Sequence, residues 1–494
     1  MKNILFGFSM LLFCLGACDT LEEEAFTIYT AENVYDNEKS AFSALVSCYD
    51  SYQGNYGNII WGPGYGATDE IVMISWAQNR KSVISYDVYA DGGDGGYWSG
   101  LYRTINRCNT FIDRMNEKDF GTPTSDGMIG EAKVIRAYSY FWLTRLFGDA
   151  PLILKGRTGL DDLLPSKNSS EEIYDQIIID LNEAKEVLPL ASEVEQHPRM
   201  SKGSAQGLLA EVYATMAGYP LNKKENWANV VTVCEEMFLE NEHSLNPSYS
   251  NIFLNIRDDV YDTKYNEILL EIAYSIKMGE GGRIGATGIG DNSKDVNKGG
   301  GSWADLEYTD KLKSKYNTQD VRLEWNLSSK NHNAIKYRRR DYNDYHPFDN
   351  PINWIVQRFS DVVLLYAEAL NEIHQGPTQV ACDAINTMKL RARPDDKKDD
   401  NTINPLCTTS MSYEQFFSEI RDERARELCF EGYRWFDLKR WHILVETVQE
   451  LAYGDHALPN LKAAKNISDK HYFYPIPQSE INVNPNLLPQ NPGY

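Results

Sequence analysis

Apolar residues recur at helical spacing in most regular segments of this chain. The clearest stripe, spaced by three, four and four residues, consists of Ile135, Tyr138, Trp142 and Leu146. Residues at these intervals lie on one face of an α-helix, so the pattern predicts a helix over Ile129–Phe147. Gly148 follows directly and favours the end of the helix there, since glycine readily adopts the left-handed cap.

Further segments show the same periodicity. They are Ser170–Leu188, Ser201–Ala217, Trp227–Leu239, Phe359–Ile373, Val380–Arg391 and Tyr413–Phe430. Because such helices come in pairs about 35–45 residues apart, they resemble hairpin repeats of the tetratricopeptide kind. The predicted fold class is therefore mostly α, with tetratricopeptide-like helical hairpins.

Three long stretches between these helices show no regular period and are rich in aromatic residues or glycine. The first runs from about Tyr52 to Tyr97, the second is Gly279–Gly301 followed by Trp303, and the third is His332–Trp354. Long irregular segments on a rigid frame commonly carry function. We therefore expect long irregular ligand-binding loops on the helical frame.

The N-terminus has the features of a targeting segment. Lys2 provides a positive start, and the apolar stretch Ile4–Ala17 would be about 21 Å long as a helix, too short to cross about 30 Å of hydrocarbon. Residues 1–17 are thus predicted to be a signal peptide. The small residues before Cys18 resemble the bacterial lipobox, in which the cysteine is lipidated. The alternative is an ordinary secretory signal with a chance cysteine.

Charge and cysteine spacing exclude several kinds of partner. The net charge is −22, whereas nucleic acids and anionic membrane surfaces are bound by basic surfaces, so no nucleic-acid partner is expected. The acidic segment Asp19–Glu24 after Cys18 suits a solvated tether. The later cysteines form no C-x-x-C pair, so a zinc site is not predicted, and a disulfide is permitted but not required.

Catalytic and cofactor motifs are absent from the sequence. It contains no H-E-x-x-H, G-x-S-x-G or Walker loop, and the glycine-rich stretch lacks dinucleotide-binding spacing, so no enzyme activity, cofactor or metal is predicted. Glu427 and Glu431 stand four residues apart on a predicted helix and could form an acid–base pair. Arginines crowd the same stretch, and this favours a structural ion-pair lattice.

Several blocks along the chain resemble those of the SusD/RagB family of outer-membrane lipoproteins of the starch-utilisation type. In chain order the blocks are Trp98–Asn106, Gly130–Tyr138, Gly148–Pro151, Arg358–Ala369, Ile385–Arg393, Ile420–Leu428 with Glu431–Leu438, Tyr474–Pro477 and Gln490–Tyr494. The resemblance implies a surface-facing lipoprotein, anchored in the outer membrane, that binds oligosaccharides. It also implies a partner, a SusC-like TonB-dependent barrel. A peptide ligand, as in the RagB branch, remains the alternative, and a glycoside hydrolase is less favoured.

The predicted organisation follows the resemblance. It comprises a signal peptide at 1–17, a lipidated acidic tether at 18–30, an N-terminal region at 31–245 and a C-terminal region at 246–494. Sugar rings stack on flat aromatic surfaces, and their hydroxyl groups need polar partners at the rim. The predicted ligand-binding residues are Trp61, Tyr65, Trp76, Asn79, Arg80, Trp303, Tyr342 and Tyr345. Trp98 and Trp435 lie inside family blocks and are expected to pack in the core.

Overall fold

The computed structural model of the chain describes residues 33–56, 67–73, 82–92, 95–157, 163–275, 281–282, 306–329, 332–337, 351–453 and 457–494. Within these ranges the protein is mostly α-helical, which confirms the predicted fold class. The helices are α1 (Glu38–Tyr56), α2 (Gly95–Lys118), α3 (Pro123–Phe147), α4 (Ser170–Val187), α5 (Lys202–Ala217), α6 (Asn226–Glu240), α7 (Tyr249–Arg257), α8 (Asp310–Ser314), α9 (Val321–Asn326), α10 (Phe359–His374), α11 (Gln379–Arg391), α12 (Tyr413–Leu428), α13 (Arg434–Arg440), α14 (Leu444–Gln449), α15 (Ala457–Asn466) and α16 (Gln478–Val483).

The helices stack as consecutive hairpins. From α1 to α6 each helix packs against the next one in the chain, and short connections such as 119–122 between α2 and α3 favour hairpin pairs. Helix α10 packs against α5 and α6 as well as against α11 and α12, so it joins the two halves of the described chain. This arrangement matches the tetratricopeptide-like stacking expected from the periodicity.

Helix α3 packs against α1, α2, α4 and α5, and the local sequence explains where it begins and ends. The Thr122 hydroxyl caps its start by accepting from the Ser125 amide at 3.1 Å, and Pro123 occupies the first turn. A Cβ at Gly130 would lie 2.8 Å from Val187 Cγ2, so the missing side chain permits close packing against α4. The helix ends at Gly148, which has a φ of 74°. It thus begins six residues before the predicted start at Ile129.

Two short antiparallel ladders complete the regular structure. Strand β1 (Ile71–Met73) pairs with β3 (Leu306–Tyr308), and β2 (Ile268–Ile272) pairs with β4 (Trp354–Arg358). Their partners are distant in the chain. Each ladder therefore fixes the ends of intervening segments against the helical frame.

The structure corrects the predicted bounds of two irregular stretches. Tyr52 was expected to begin a loop, but it lies in α1 and is only 3% exposed, because the helix buries this tyrosine face against α3. The third stretch ends in strand rather than loop, since Trp354 opens β4 and is 2% exposed. The expectation that Trp98 and Trp435 pack in the core is confirmed.

Other sequence expectations can be examined only within the described ranges. There, the six cysteines are free and buried, as expected for small apolar side chains. No helix in the described part is long and apolar enough to cross a membrane, and no described group of three acidic, histidine or cysteine side chains could hold a metal ion.

Candidate functional site

The predicted site residues lie in segments that the structure does not describe. Outside the described residues are Cys18, Trp61, Tyr65, Trp76, Asn79, Arg80, Trp303, Tyr342 and Tyr345. The described residues nevertheless show where these segments join the frame. The described residues at the ends of each segment therefore show which segments are attached close to one another.

One attachment point is the end of the β1–β3 ladder. Met73 lies opposite Leu306 in this ladder. The segment that follows Met73 contains Trp76, and the segment that precedes Leu306 contains Trp303. Two segments predicted to bind ligand are therefore attached side by side.

A second attachment point is the end of the β2–β4 ladder. Ile272 lies opposite Trp354, and the chain beyond Ser275 continues into the glycine-rich stretch. The ring of Tyr337 stacks on Trp354 with centroids 5.6 Å apart and an interplanar angle of 17°. Segment 338–350, which contains the predicted Tyr342, starts directly after Tyr337, so it is also attached here.

The C-terminal end of α1 is a third attachment point. The Gln53 side chain donates to the Ala273 carbonyl at 2.5 Å, just beyond the end of β2. Next to it, Trp142 Nε1 donates to the Tyr56 hydroxyl at 2.9 Å. Segment 57–66, which contains Trp61, begins directly after Tyr56 and therefore beside the exit of β2.

The turn between α12 and α13 holds the two ladders together. The Arg434 guanidinium binds both carboxylate oxygens of Asp69 at 2.7 Å, two residues before β1. The hydroxyl of Tyr433 donates to the carbonyl of Val356 in β4 at 2.8 Å. This sequence block, identified above by its family resemblance, thus positions both ladders. We refer to the attachment points at Tyr56, Met73, Leu306, Tyr337 and Trp354 together as the loop-bearing face.

A buried aromatic cluster lies beneath part of this face. Its rings are those of Tyr52, Tyr56, Tyr138, Trp142 and Phe436, with neighbouring centroids between 5.2 and 6.4 Å apart. Burial raises the pKa of Tyr138 to about 12, so its hydroxyl remains neutral. The cluster borders a cavity of only about 20 Å³, enough for little more than one water molecule. It supports the face and has no room for a ligand.

An ion-pair lattice lies behind the turn. Its carboxylates are Glu267, Asp320, Glu423, Glu427 and Glu431, and its cations are Arg322, Lys336, Arg358, Arg391 and Arg426. The two sets balance in charge. Burial would raise the pKa of Glu423, but Arg322 and Arg426 lower it to about 2.

Glu427 and Glu431 belong to this lattice, and this confirms the structural interpretation of the pair. Glu427 is fully buried and ion-paired to three arginines, while Glu431 binds Arg358 and Lys336. Although burial opposes ionisation, the arginines hold the pKa of Glu427 well below its ordinary value. A general acid needs a raised pKa and access to substrate. Glu427 has neither, and Glu431 is only 3% exposed within the lattice.

The described architecture defines a class: a mostly α-helical protein built from stacked helical hairpins. Two family models match the chain, one described as the SusD family over residues 349–494 and one described as starch-binding associating with outer membrane over residues 23–214. The chain belongs to the SusD/RagB family.

Individual relatives agree along the full length. SusD-like protein P2 of Formosa agariphila is 27% identical over all of both chains. The crystal structure of a SusD homologue from Bacteroides thetaiotaomicron has a TM-score of 0.82 at 24% identity and covers 94% of this chain and 99% of its own. A laminarin-binding SusD-like protein has a TM-score of 0.74 at 21% identity and covers 93% of this chain and 100% of its own. These structural likenesses show the fold.

Proposed function

We propose that this protein is a surface lipoprotein of the outer membrane that binds an oligosaccharide and delivers it to a SusC-type TonB-dependent barrel. The observation that carries the proposal is the pairing of attachment points, because segments that contain predicted aromatic contacts are attached at the same ladder ends. Trp76 follows Met73 by three residues, and Trp303 precedes Leu306 by three. Since three residues span about 10 Å at most, both rings belong within reach of one ladder end.

The residue types fit a sugar polymer. Pyranose rings present apolar C–H surfaces to flat aromatic groups, and rigid tryptophan and tyrosine lose little entropy on binding. Asn79 and Arg80 stand close to Trp76 in the sequence and supply partners for hydroxyl groups. The laminarin-binding protein with the same fold supports a neutral glycan as the ligand class.

Binding without cleavage is the second part of the proposal. The carboxylate pair that resembles a glycosidase site is neutralised within the lattice, as shown above. The family description as starch-binding and associating with the outer membrane supports a binder at that location. Lipidation of Cys18 would provide the anchor, and the acidic tether would let the face reach a barrel beside it.

Retention on polysaccharide gels tests the proposal. The full-length protein is run through gels that contain laminarin, starch or other neutral glycans, and Trp76→Ala is compared with Trp76→Phe. The alanine variant should lose retention, whereas phenylalanine keeps a flat ring and should retain most of it. Long incubation should release no reducing ends.

Three results would contradict the proposal. Equal retention of Trp76→Ala and wild type would remove this segment from the site. Released reducing ends would indicate a hydrolase, and retention of oligopeptides without any glycan would indicate a peptide-binding protein of the RagB kind.

A further inference from the structure

A separate cleft lies beside β2, in the described part of the chain. Its walls come from the segment before α5, from α7 with the turn that follows it, and from β2 itself. The cleft has a volume of about 70 Å³ and opens to solvent. That volume holds several water molecules, or the inner edge of a ligand whose remainder stays outside.

Glu271, in β2, is one of the residues that line this cleft. Glu271 is 9% exposed, and its Oε2 atom is buried without a hydrogen-bond partner. Burial raises the pKa of Glu271 to about 7, a hydrogen bond with the Asn353 side chain opposes the rise, and the charge of Asp259 adds to it. In the lattice described above, by contrast, buried carboxylates have charged partners. The lining of the cleft therefore includes a buried carboxyl group with unused acceptor capacity, which is the kind of group found at binding sites.

An aromatic pair forms one wall. The rings of His197 and Tyr261 stack with centroids 5.1 Å apart and an interplanar angle of 21°. Both residues are half-buried and line the cleft. Burial lowers the pKa of His197, so the imidazole is neutral at physiological pH. This wall of the cleft is therefore aromatic and uncharged.

The charges around the cleft select the ligand class. The guanidinium group of Arg199 is engaged by Glu131 on α3, with Nε 3.2 Å from Oε2. Glu271 and Asp259 add negative character, so an anionic ligand would be repelled. The carboxyl groups of Glu271 and Asp259 can accept hydrogen bonds from the hydroxyl groups of a neutral ligand.

We propose that this cleft is a second binding site that takes one neutral sugar ring, whose hydroxyl groups donate to Glu271 while its apolar face lies against the His197–Tyr261 pair. The inference rests on the proposed function, because it assumes that the ligand is a glycan. The cleft is also connected to the loop-bearing face. Asn353 lines the cleft, and its Oδ1 accepts from the Tyr274 amide at 3.0 Å, next to the end of the β2–β4 ladder.

Saturation-transfer NMR on the full-length protein tests the inference. The probes are the neutral methyl glycosides of glucose, galactose, mannose and xylose, together with D-glucosamine as a cationic comparison. Glu271→Leu removes both acceptor oxygens at similar volume and should weaken neutral sugar binding about tenfold or more. Tyr261→Ala should do the same through the wall. Glu183→Gln, an exposed carboxylate in α4, serves as the control and should bind like wild type.

Trp76→Ala separates this site from the loop-bearing face. If the cleft binds sugar, a signal persists in Trp76→Ala and is lost when Glu271→Leu is added to that variant, while Glu271→Leu alone is still retained on polysaccharide gels. The inference is overturned if no neutral glycoside binds, if Glu271→Leu binds as well as wild type, or if only glucosamine binds. Loss of gel retention in Trp76→Ala tests the proposed function independently of these results.

Discussion

Removing one charge from the buried ion-pair lattice should cost the protein much of its stability. Glu427 lies 2.6 Å from Arg358 Nη1 and 2.9 Å from Arg322 Nη1 and also pairs with Arg391. In Glu427→Gln the shape of the side chain is kept, but the balanced lattice gains one uncompensated positive charge. The arginines keep their other partners, among them Glu431 for Arg358.

The expected magnitude follows from this geometry. All three guanidinium groups are between 0 and 4% exposed, so water cannot replace the lost carboxylate. Removal of one partner from a buried ion pair costs about 3–5 kcal/mol. Total stabilities are about 5–15 kcal/mol, so Glu427→Gln should be strongly destabilised but still able to fold. In the exposed Arg114–Glu117 pair, Glu117→Gln should cost only about 0–1 kcal/mol.

Urea unfolding, followed by circular dichroism and by tryptophan fluorescence, measures both variants. Coincident transitions from the two probes are required before free energies are compared. Adding Arg391→Met to Glu427→Gln restores the charge balance, so the double variant should be less destabilised than the sum of the single variants. If Glu427→Gln behaved like Glu117→Gln, or if the double variant were strictly additive, the lattice would not act through its charge balance.

Three other predictions concern the anchor, the packing and the cleft. Cys18→Ala should fold normally but leave the membrane fraction of cells that lack the barrel, because it cannot be acylated; firm membrane association of the variant would refute the anchor. Gly218→Ala should lose about 1–3 kcal/mol, since its Cβ would lie 2.6 Å from the Arg440 carbonyl oxygen, whereas Gly54→Ala, with open space in α1, should gain about 0.5–1 kcal/mol in urea unfolding. Glu271→Leu should stabilise the fold at neutral and higher pH. Burial raises the pKa of Glu271 from 4.5 to about 7, so ionisation of this carboxyl group as the pH rises through that window costs the wild type about 3 kcal/mol, at about 1.36 kcal/mol per pKa unit. Melting temperatures at pH 4 and pH 8 should therefore diverge between variant and wild type only at the higher pH.

The helical frame could be predicted from sequence because most of its helices carry a clear apolar stripe. The sequence pattern did not predict helix α1, because this segment mixes serine, tyrosine and glycine, which are also common in loops. Its tyrosines are buried by α3, a contact from a distant part of the chain. Tyrosine and tryptophan pack in cores as readily as they bind ligands, and for that reason Tyr337 and Trp354 could not be assigned to the core in advance.

The cleft gives no signal in the sequence. Glu271 is a single acidic residue within the apolar strand β2, and no spacing rule distinguishes it from an ordinary surface position. Its character depends on burial by segments from elsewhere in the chain, the one before α5 and the turn after α7. By contrast, the arginines close to Glu427 and Glu431 in the sequence indicated an ion-pair lattice, although the structure pairs both glutamates with cations from distant segments, such as Arg358.

This helical frame contains two kinds of buried acidic group, one ion-paired with arginines and one without a charged partner among the described residues. The lattice around Glu427 is neutral overall and holds the turn that ties β1 to β4, so it fixes the attachment points of the loop segments without depending on their sequences. Glu271 is the opposite case, a buried acceptor that costs folding free energy and has no described partner for one of its oxygens. Proteins keep such locally unfavourable groups where function requires them. The same strand carries this group and leads into the loop-bearing face, and the sugar site proposed for the cleft would give a physical reason for this cost.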